Sequence, residues 1–419
     1  MAYVNSVATD SAGSVVIAGR YQGSVNFGGR TLSCATYSND DVFVAKYSTN
    51  GSNQWARGFG SSGSDIANGV AVDSGGNVIV TGYFAGTVDF GGGPLSTSTS
   101  SSMFLAKYSP TGSYIWAQAF PGAFGTAVAV DGSDNVVVVG SYTGSTNFGG
   151  GTLSSVGGST DVFVAKFSPT GGYLWAKSYG GSSTDLVKAV AVDSGGNVVV
   201  TGYFSGTSAN FGAGSWTSAG ATDIFVAKYG SDGSSIWAKQ LGGTGSDNGY
   251  GVSVDGSGNV LVAGDFTSTV DFGGGPLTPS GGGDIFLAKY SSTGAYQWAK
   301  HFGTPSPWGS HANGVRVDGS GNVLLTGWIV DYVDFGGGPL MAPSQTYDVF
   351  VAKFTPAGAY TWAKRAGTPY TDHGNALTID GSGNVLSAGD FGAGQIDFGC
   401  GALNNSSGGQ EGYVAKLDH

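Results

Sequence analysis

Two histidines near the end of the chain are the residues best suited to chemistry. His311 and His373 occupy equivalent positions in successive repeats, and Asp372 directly precedes the second of them. An imidazole close to a carboxylate can act as a general base, whereas two imidazoles and a carboxylate could instead bind a metal ion. Because no close-spaced set of ligands accompanies them, we expect neither a resident metal nor another cofactor.

Aromatic residues accumulate in the same two repeats. Trp308 lies in an enlarged loop just before His311, and Tyr370 lies in the corresponding loop before His373. Aromatic surfaces with a few directed polar groups are typical of sites for carbohydrates and other neutral polar ligands. We therefore predict a binding site lined by Trp308, His311, Trp328, Tyr370, Asp372, His373 and Asp390. The alternative interpretation is that these two repeats have simply diverged.

Three classes of function remain open from these residues. The sequence contains no nucleophile elbow, phosphate-binding P-loop or HExxH pair, which favours a non-catalytic binding protein. A lyase or hydrolase would rely on His311 or His373 at a channel mouth, or on aspartates from different repeats, because Glu411 is the only glutamate. The third class is a scaffold or interaction module within a longer surface protein.

The elements that must position these residues are copies of one unit. In the copy at 242–302, four short apolar runs at 251–255, 260–264, 285–290 and 296–302 are separated by turns rich in glycine and serine. Four such strands form an antiparallel sheet that is too thin to bury its own faces, so copies must stack around an axis. The approximate copies are 1–60, 61–120, 121–179, 180–241, 242–302, 303–366 and 367–419.

This pattern predicts an all-β fold with a single domain over residues 1–419, a seven-bladed β-propeller of four-stranded antiparallel blades. A Trp-Ala outer strand follows six of the copies and is missing from the last one. We expect either that an upstream strand completes the seventh blade or that this blade keeps an exposed edge.

Three marks recur through the copies. Aspartates before the first turn are Asp10, Asp73, Asp131, Asp193, Asp255, Asp318 and Asp380. A Phe-Gly pair follows Asp or Asn at Phe27, Phe90, Phe148, Phe211, Phe272, Phe335 and Phe398. An Ala-Lys pair ends in Lys46, Lys107, Lys166, Lys228, Lys289, Lys353 and Lys416. We expect the aspartates to close turns, the phenylalanines to fill space between blades, the lysines to snorkel along outer strands, and the tryptophans to pack blade against blade.

The segments GVAVDSGGNVIVTGYF, DVFVAKFSPTG and GYLWAKSYGG resemble the SBBP family of bacterial propeller repeats and, more distantly, NHL repeats. The resemblance covers essentially the whole chain. It implies a seven-bladed propeller of an exported or cell-surface bacterial protein, although the opening segment MAYVNSVATD does not itself have the pattern of a signal peptide. It implies no particular activity, since propellers host many functions.

The charge of the chain limits its possible binding partners, and its two cysteines limit its possible covalent cross-links. A net charge of −11 without a basic cluster argues against nucleic acid, and no apolar run is long enough to insert into a membrane. We expect a glycan or a protein as ligand, and the oligomeric state stays open. Cys34 and Cys400 lie in the first and last copies, so ring closure would allow either a disulfide or two free thiols.

Overall fold

The alternating apolar runs fold as antiparallel strands grouped into seven blades. A computed structural model describes residues 1–34, 39–97, 99–342, 346–399, 401–406 and 408–417. Six sheets contain four strands paired in chain order, and the seventh contains three. Apart from one 3-10 turn at Val156–Gly158, the regular elements of the described residues are strands. The predicted all-β fold, and a last blade with only three strands, are therefore confirmed.

Each blade begins at the axis with its first strand and proceeds outward. The first three blades comprise Ala2–Thr9, Val15–Tyr21, Asp41–Tyr47 and Asn53–Phe59; Ile66–Val72, Val78–Phe84, Ser102–Tyr108 and Tyr114–Pro121; and Ala123–Val130, Val136–Thr143, Thr160–Phe167 and Tyr173–Tyr179. The next three comprise Asp185–Val192, Val198–Phe204, Asp223–Tyr229 and Ser235–Leu241; Asp247–Val254, Val260–Phe266, Asp284–Tyr290 and Tyr296–Phe302; and His311–Val317, Val323–Ile329, Asp348–Phe354 and Tyr360–Ala366. The seventh comprises His373–Ile379, Val385–Phe391 and Glu411–Leu417.

A short two-stranded ribbon joins the second and third strands of every blade. The ribbons are Ser24–Asn26 with Thr31–Ser33, Thr87–Asp89 with Pro94–Ser96, Ser145–Asn147 with Thr152–Ser154, Thr207–Asn210 with Ser215–Thr217, Val270–Asp271 with Pro276–Leu277, Tyr332–Asp334 with Pro339–Met341, and Gly394–Asp397 with Ala402–Asn405. They lead into the Phe-Gly pairs and place those phenylalanines beside the sheets.

The seven blades close into a ring through their first strands. Each first strand contacts the next one, and Ala2–Thr9 also contacts His373–Ile379. The Thr9 hydroxyl donates to the carbonyl oxygen of Ile379 at 3.0 Å, which joins the first blade directly to the last. The predicted number of blades and the closure of the ring are confirmed.

Aromatic residues fill the spaces between blades as expected. Phe211, which stacks on Phe225 of its own blade with ring centroids 3.9 Å apart, is fully buried in a cluster that also includes side chains of blade three. Phe59, at the end of the outer strand of blade one, packs against Phe90 and Tyr108 of blade two at 5.5 and 5.4 Å. Burying a large aromatic side chain stabilises the fold by about 1.5–3 kcal/mol, so these contacts hold neighbouring blades together.

The outer-strand tryptophans also pack blade against blade. The indole N–H of Trp55 donates to the carbonyl oxygen of Pro110 in the next blade at 3.0 Å, and Trp116 donates to Pro169 at 3.2 Å. An indole N–H removed from water needs a hydrogen-bond partner, and for five of the six outer-strand tryptophans the partner is a carbonyl oxygen of the neighbouring blade. This prediction is confirmed.

The Ala-Lys lysines do not snorkel, and this prediction is wrong. Lys107 is 4% exposed, and its Nζ lies 2.8 Å from a carboxylate oxygen of Asp73, the turn aspartate of its own blade. The other pairs are Lys46–Asp10, Lys166–Asp131, Lys228–Asp193, Lys289–Asp255, Lys353–Asp318 and Lys416–Asp380. The physical reason is charge balance, because a carboxylate held at a closely packed turn needs a nearby cation.

Each turn aspartate therefore has two roles. The Oδ1 atom of Asp73 accepts the backbone N–H of Asn77 at 2.8 Å, which confirms the predicted turn, while Oδ2 faces Lys107. Burial raises the pKa of the Asp73 carboxyl, but the bonds from Lys107 and Asn77 outweigh burial and leave the pKa below its usual value. The lysine also donates to the Pro169 carbonyl at 3.0 Å and so connects two blades.

The junction between blades seven and one differs from the other six. Among the described residues, no fourth strand covers Glu411–Leu417, and a groove of about 690 Å³ lies there, lined by Phe27, Tyr47 and Tyr413 among others. The Cys34 thiol donates to the carbonyl oxygen of Gly23 at 3.1 Å. Its proposed disulfide partner, Cys400, lies outside the described residues, so that hypothesis stays a prediction.

Candidate functional site

The predicted site residues belong to the end of the propeller that carries the blade-to-blade loops, which we call the loop end. The opposite end carries the turns with the Asp–Lys pairs, and we call it the hairpin end. Antiparallel pairing places His311 opposite Trp328 and His373 opposite Asp390, where each first strand begins and each second strand finishes. Residues from successive blades therefore meet around the axis at this end.

A β-bulge shapes every first strand close to these positions. The bulged residue is Asn in blades one, two, six and seven, and its side-chain N–H donates to a backbone carbonyl of the following blade. The bonds are Asn5 to Ala67 at 2.9 Å, Asn68 to Gly125 at 2.8 Å, Asn313 to Gly374 at 3.0 Å and Asn375 to Val4 at 3.0 Å. We call this bond the inter-blade clasp.

Blades three, four and five have no asparagine at the bulge. Thr126, Lys188 and Tyr250 occupy it instead. A bulge directs its extra residue out of the regular alternation of the strand, and bulges are frequent next to functional sites. The two larger replacements, Lys188 and Tyr250, lie beside the predicted site.

Aromatic rings form a continuous surface around part of the axis, which we call the aromatic arc. Tyr250 lies 4.1 Å from the His311 ring, His311 stacks on Trp328 at 5.1 Å with an interplanar angle of 5°, and Trp328 lies 4.2 Å from Tyr347. Tyr203 contacts Tyr250 at 6.4 Å, and His373 contacts Trp328 at 6.4 Å. The arc therefore joins side chains of blades four to seven.

Two histidines of the arc have carboxylate neighbours. His373 Nδ1 lies 3.0 Å from Asp390, whose other oxygen accepts the Asn375 side chain at 2.8 Å. His311 Nδ1 lies 3.6 Å from Asp265, which is longer than a good hydrogen bond. Burial lowers the pKa of His311 to about 4, so its ring is neutral at pH 7.

A cation and an acid with unusual surroundings complete the site. The Lys188 ammonium lies 5.3 Å from the Tyr203 ring centroid and 5.9 Å from that of Tyr250, and burial lowers its pKa. Burial raises the pKa of the Asp265 carboxyl to about 7. Its Oδ1 atom is buried and accepts no hydrogen bond from the described residues. Groups of this kind, shifted by burial at a concave surface, often mark functional sites.

The structure brings four of the seven predicted residues together, namely His311, Trp328, His373 and Asp390. Trp308 and Tyr370 lie in the loops with 52% and 58% of their surface exposed, and no ring contact of the described residues connects them with the arc. They therefore lie at the loop end but outside the aromatic arc.

Asp372 requires a correction, because it is fully buried and its carboxylate is occupied by hydrogen bonds within the protein. Its carboxylate accepts the backbone N–H groups of Thr368 and Gly392 at 2.5 and 2.9 Å and the Thr368 hydroxyl at 3.1 Å. Asp65, Asp185 and Asp247 hold the corresponding loops in the same way. The residue therefore fixes a loop and is not available to a ligand.

Sequence reasoning missed Lys188, Tyr250 and Tyr347. The sequence did contain a signal for the first two, since both replace an asparagine that four other copies share. As for a metal, no group of three or more His, Cys, Asp or Glu side chains in the described part of the chain is arranged to hold one. Nor does any described helix have the length and apolar character needed to cross a bilayer.

The ring of seven sheets with a variable loop end defines the class of protein: it is a seven-bladed β-propeller. More particularly, residues 236–269 match the SBBP family, described as a beta-propeller repeat. The match begins in the outer strand of blade four and continues through the first two strands of blade five. The expected resemblance to SBBP repeats is thus confirmed over this region.

Curated relatives are longer than this chain. It is 26% identical over 438 residues to an uncharacterised WD repeat-containing protein of Acanthamoeba polyphaga mimivirus, covering 83% of this chain and 32% of that protein. It is 27% identical over 288 residues to the regulatory protein FlaEY of Caulobacter vibrioides, covering 62% of this chain and 29% of that protein. The chain therefore spans about a third of the length of these relatives.

Solved structures with a similar arrangement include two fungal proteins. The WD40 domain of Pan2 from Neurospora crassa has a TM-score of 0.46 and 10% identity, over 92% of this chain and 85% of that one. Sqt1 from Chaetomium thermophilum has a TM-score of 0.47 and 11% identity, over all of this chain and 88% of that one.

Proposed function

We propose that this protein is a non-catalytic binding propeller that holds a carbohydrate on the aromatic arc of its loop end. The observation that carries the proposal is the stacked pair of His311 and Trp328, which Tyr250 and Tyr347 extend on either side. Flat aromatic surfaces match the apolar faces of sugar rings, and polar groups at their edges can bind the hydroxyls. Asp265, Asp390 and His373 provide such groups.

The chemistry of the arc also supports binding over catalysis. Burial keeps the His311 imidazole neutral, and its 3.6 Å separation from Asp265 is too long for the strong bond that would raise its basicity. The same neutral ring can donate to one sugar hydroxyl and accept from another. A protein ligand is the other partner that a polar and aromatic face of this kind would suit.

We further propose that the propeller is displayed outside the cell. Support comes from the match to the SBBP repeat family, whose resemblance implies an exported protein, and from an acidic composition that is poor in lysine and glutamate. A propeller on a cell surface would meet glycans in its ordinary surroundings.

A glycan array probed with the intact chain tests the binding function. We expect a defined set of glycans to bind, and we expect Trp328→Ala to reduce their affinity at least tenfold because it removes the centre of the arc. Met341→Ala is the control, since this side chain is 63% exposed on the outer ribbon of the same blade. An array without binding, or binding that Trp328→Ala leaves unchanged, contradicts the proposal.

A hydrolase or lyase is a second candidate, favoured by one observation. His373 Nδ1 lies 3.0 Å from Asp390, an arrangement in which the carboxylate orients the ring and leaves Nε2 to act as a base. The bound glycans should then be cleaved, and His373→Ala should abolish cleavage while Trp328→Ala weakens substrate binding. Glycans that are bound and recovered intact after long incubation exclude this candidate.

A further inference from the structure

We infer that Lys188, with Tyr203 and Tyr250 beside it, forms a subsite for the carboxylate of an acidic saccharide, such as a uronic acid residue. The inference rests on the proposed function and names the class of glycan that the arc would select. It depends on the bulge position, the surroundings of the lysine and the polar groups across the site.

The bulge position gives the first argument. In four blades this position is an asparagine that clasps the next blade, and an asparagine in blade four would stand beside the Gly249 carbonyl in the same way. Lys188 and Tyr250 therefore replace a residue that has a structural task elsewhere in the ring. Both replacements occur in adjacent blades, and both side chains reach the same surface.

The surroundings of Lys188 give the second argument. The Ala-Lys lysines each face an aspartate at 2.7–3.1 Å, but Lys188 forms neither an ion pair nor a hydrogen bond with the described residues. Two tyrosine rings lie beside its ammonium group, and their faces attract a cation without occupying its N–H donors. A half-buried ammonium with three unused donors is a natural partner for an anion.

The polar groups on the other side of Tyr250 decide what kind of anion fits. Asp265 has a buried oxygen that accepts no hydrogen bond from the described residues, and the neutral His311 ring lies next to it. These groups suit hydroxyls, while the rings of Tyr250 and Trp328 suit the face of a sugar. A saccharide that carries one carboxylate and several hydroxyls satisfies the cation, the acid and the aromatic surface together. A ligand with several negative charges would find one cation in Lys188, and the partly ionised Asp265 would oppose the remaining charges.

The experiment compares acidic glycans with their carboxyl-reduced counterparts, in which the carboxylate is converted to a hydroxymethyl group. An array of uronic-acid and sialic-acid oligosaccharides, each beside its reduced form, is probed with the intact chain. We expect the wild-type protein to prefer the acidic member of at least one pair tenfold or more, and this preference should weaken as ionic strength rises.

Two variants test the role of the lysine. Lys188→Asn should remove the preference while keeping the melting temperature, because asparagine restores the clasp of the other blades. Lys188→Arg should retain the preference, since it keeps the charge. Preference that survives in Lys188→Asn, or acidic and reduced glycans bound equally by the wild type, overturns the subsite but leaves the carbohydrate-binding function standing. An array with no binding to either form overturns both.

Discussion

The two ends of the propeller use the same seven blades in opposite ways. At the hairpin end, all seven blades carry an Asp–Lys pair. At the loop end, the corresponding ring of residues is Arg20, Tyr83, Ser141, Tyr203, Asp265, Trp328 and Asp390. Stability requires the same contact in every blade, whereas recognition of an asymmetric ligand requires blades that differ. In this repeat protein, the positions at which the copies differ are therefore the candidates for ligand recognition.

Breaking one ion pair at the hairpin end should have the largest effect on stability. Asp193→Ala leaves Lys228, whose side chain is 4% exposed, without its counterion at 2.8 Å. An uncompensated buried charge costs about 3–5 kcal/mol, which denaturant unfolding would measure as a lower unfolding free energy. Asp232→Ala is the control, because this exposed aspartate in blade four faces no lysine within ion-pair distance. Equal losses in the two variants would show that the pairs do not stabilise the ring.

Removing Asp372 should give the next largest effect and separates structure from recognition at the loop end. Asp372→Ala leaves the backbone N–H groups of Thr368 and Gly392 unpaired, which costs about 1–3 kcal/mol. Asp372→Ser should cost less, because blade six carries Ser310 at this position, and its hydroxyl accepts the Val330 N–H at 3.4 Å. Thermal unfolding of both variants measures the difference. Glycan affinity lost with stability unchanged would instead place Asp372 in the site.

The inter-blade clasp should contribute less than either carboxylate. Asn68→Ala removes the bond to the Gly125 carbonyl and should lower the unfolding free energy by about 0.5–1.5 kcal/mol. Thr126→Asn, made in the wild-type chain, places the clasp residue in blade three and should raise the unfolding free energy by a similar amount. Denaturant unfolding of the two variants provides the measurement. If Thr126→Asn is destabilising, the bulge in blade three cannot accommodate the clasp. The side-chain packing of blade three would then differ from that of the other blades although the backbone bulge is the same.

A change of pH should alter the melting temperature in opposite directions through the two ends. The expected change is smaller than those caused by the substitutions above. Burial raises the pKa of Asp185 to about 7 and of Asp65 to about 6 at the loop end. The folded protein therefore binds these protons more tightly than the unfolded chain, and the melting temperature should rise as the pH falls from 7 towards 5.

At the hairpin end the sign is reversed. Lys416 and the turn bonds lower the pKa of Asp380 to about 2, so its stabilisation is present above the unfolded value near 3.8 and is lost as the pH falls towards 2. Calorimetry should find a maximum of the melting temperature between these ranges. Asp185→Asn should flatten only the neutral side, and an unchanged curve would contradict the assignment.

The seven-bladed arrangement of four-stranded sheets could be predicted because each copy repeats the evidence for it, whereas the two-stranded ribbons were not predicted. The alternation of the strands, the turn glycines and the outer tryptophans all indicate the same four-stranded unit. The ion pairs were not predicted, although every copy contains equivalents of Asp73 and Lys107. Sequence spacing alone does not show that the first and third strands of a blade place these two side chains at the same turn.

The site could be predicted only where strand register determines it. Pairing of the first two strands placed His311 beside Trp328 and His373 beside Asp390. Trp308 and Tyr370 lie in loops, whose direction the register does not determine. Tyr250 could not be predicted, because a bulge takes it out of the regular alternation of inward-facing and outward-facing strand residues.

The bulged position has a consequence for protein engineering. Because the bulged residue contributes only one or two side-chain hydrogen bonds to the ring, we expect that it can be exchanged blade by blade while the backbone is kept. Each of the seven first strands has one such position around the axis. The positions are 5, 68, 126, 188, 250, 313 and 375. We expect libraries of substitutions at these positions to change which ligand is bound while the seven-bladed ring is retained.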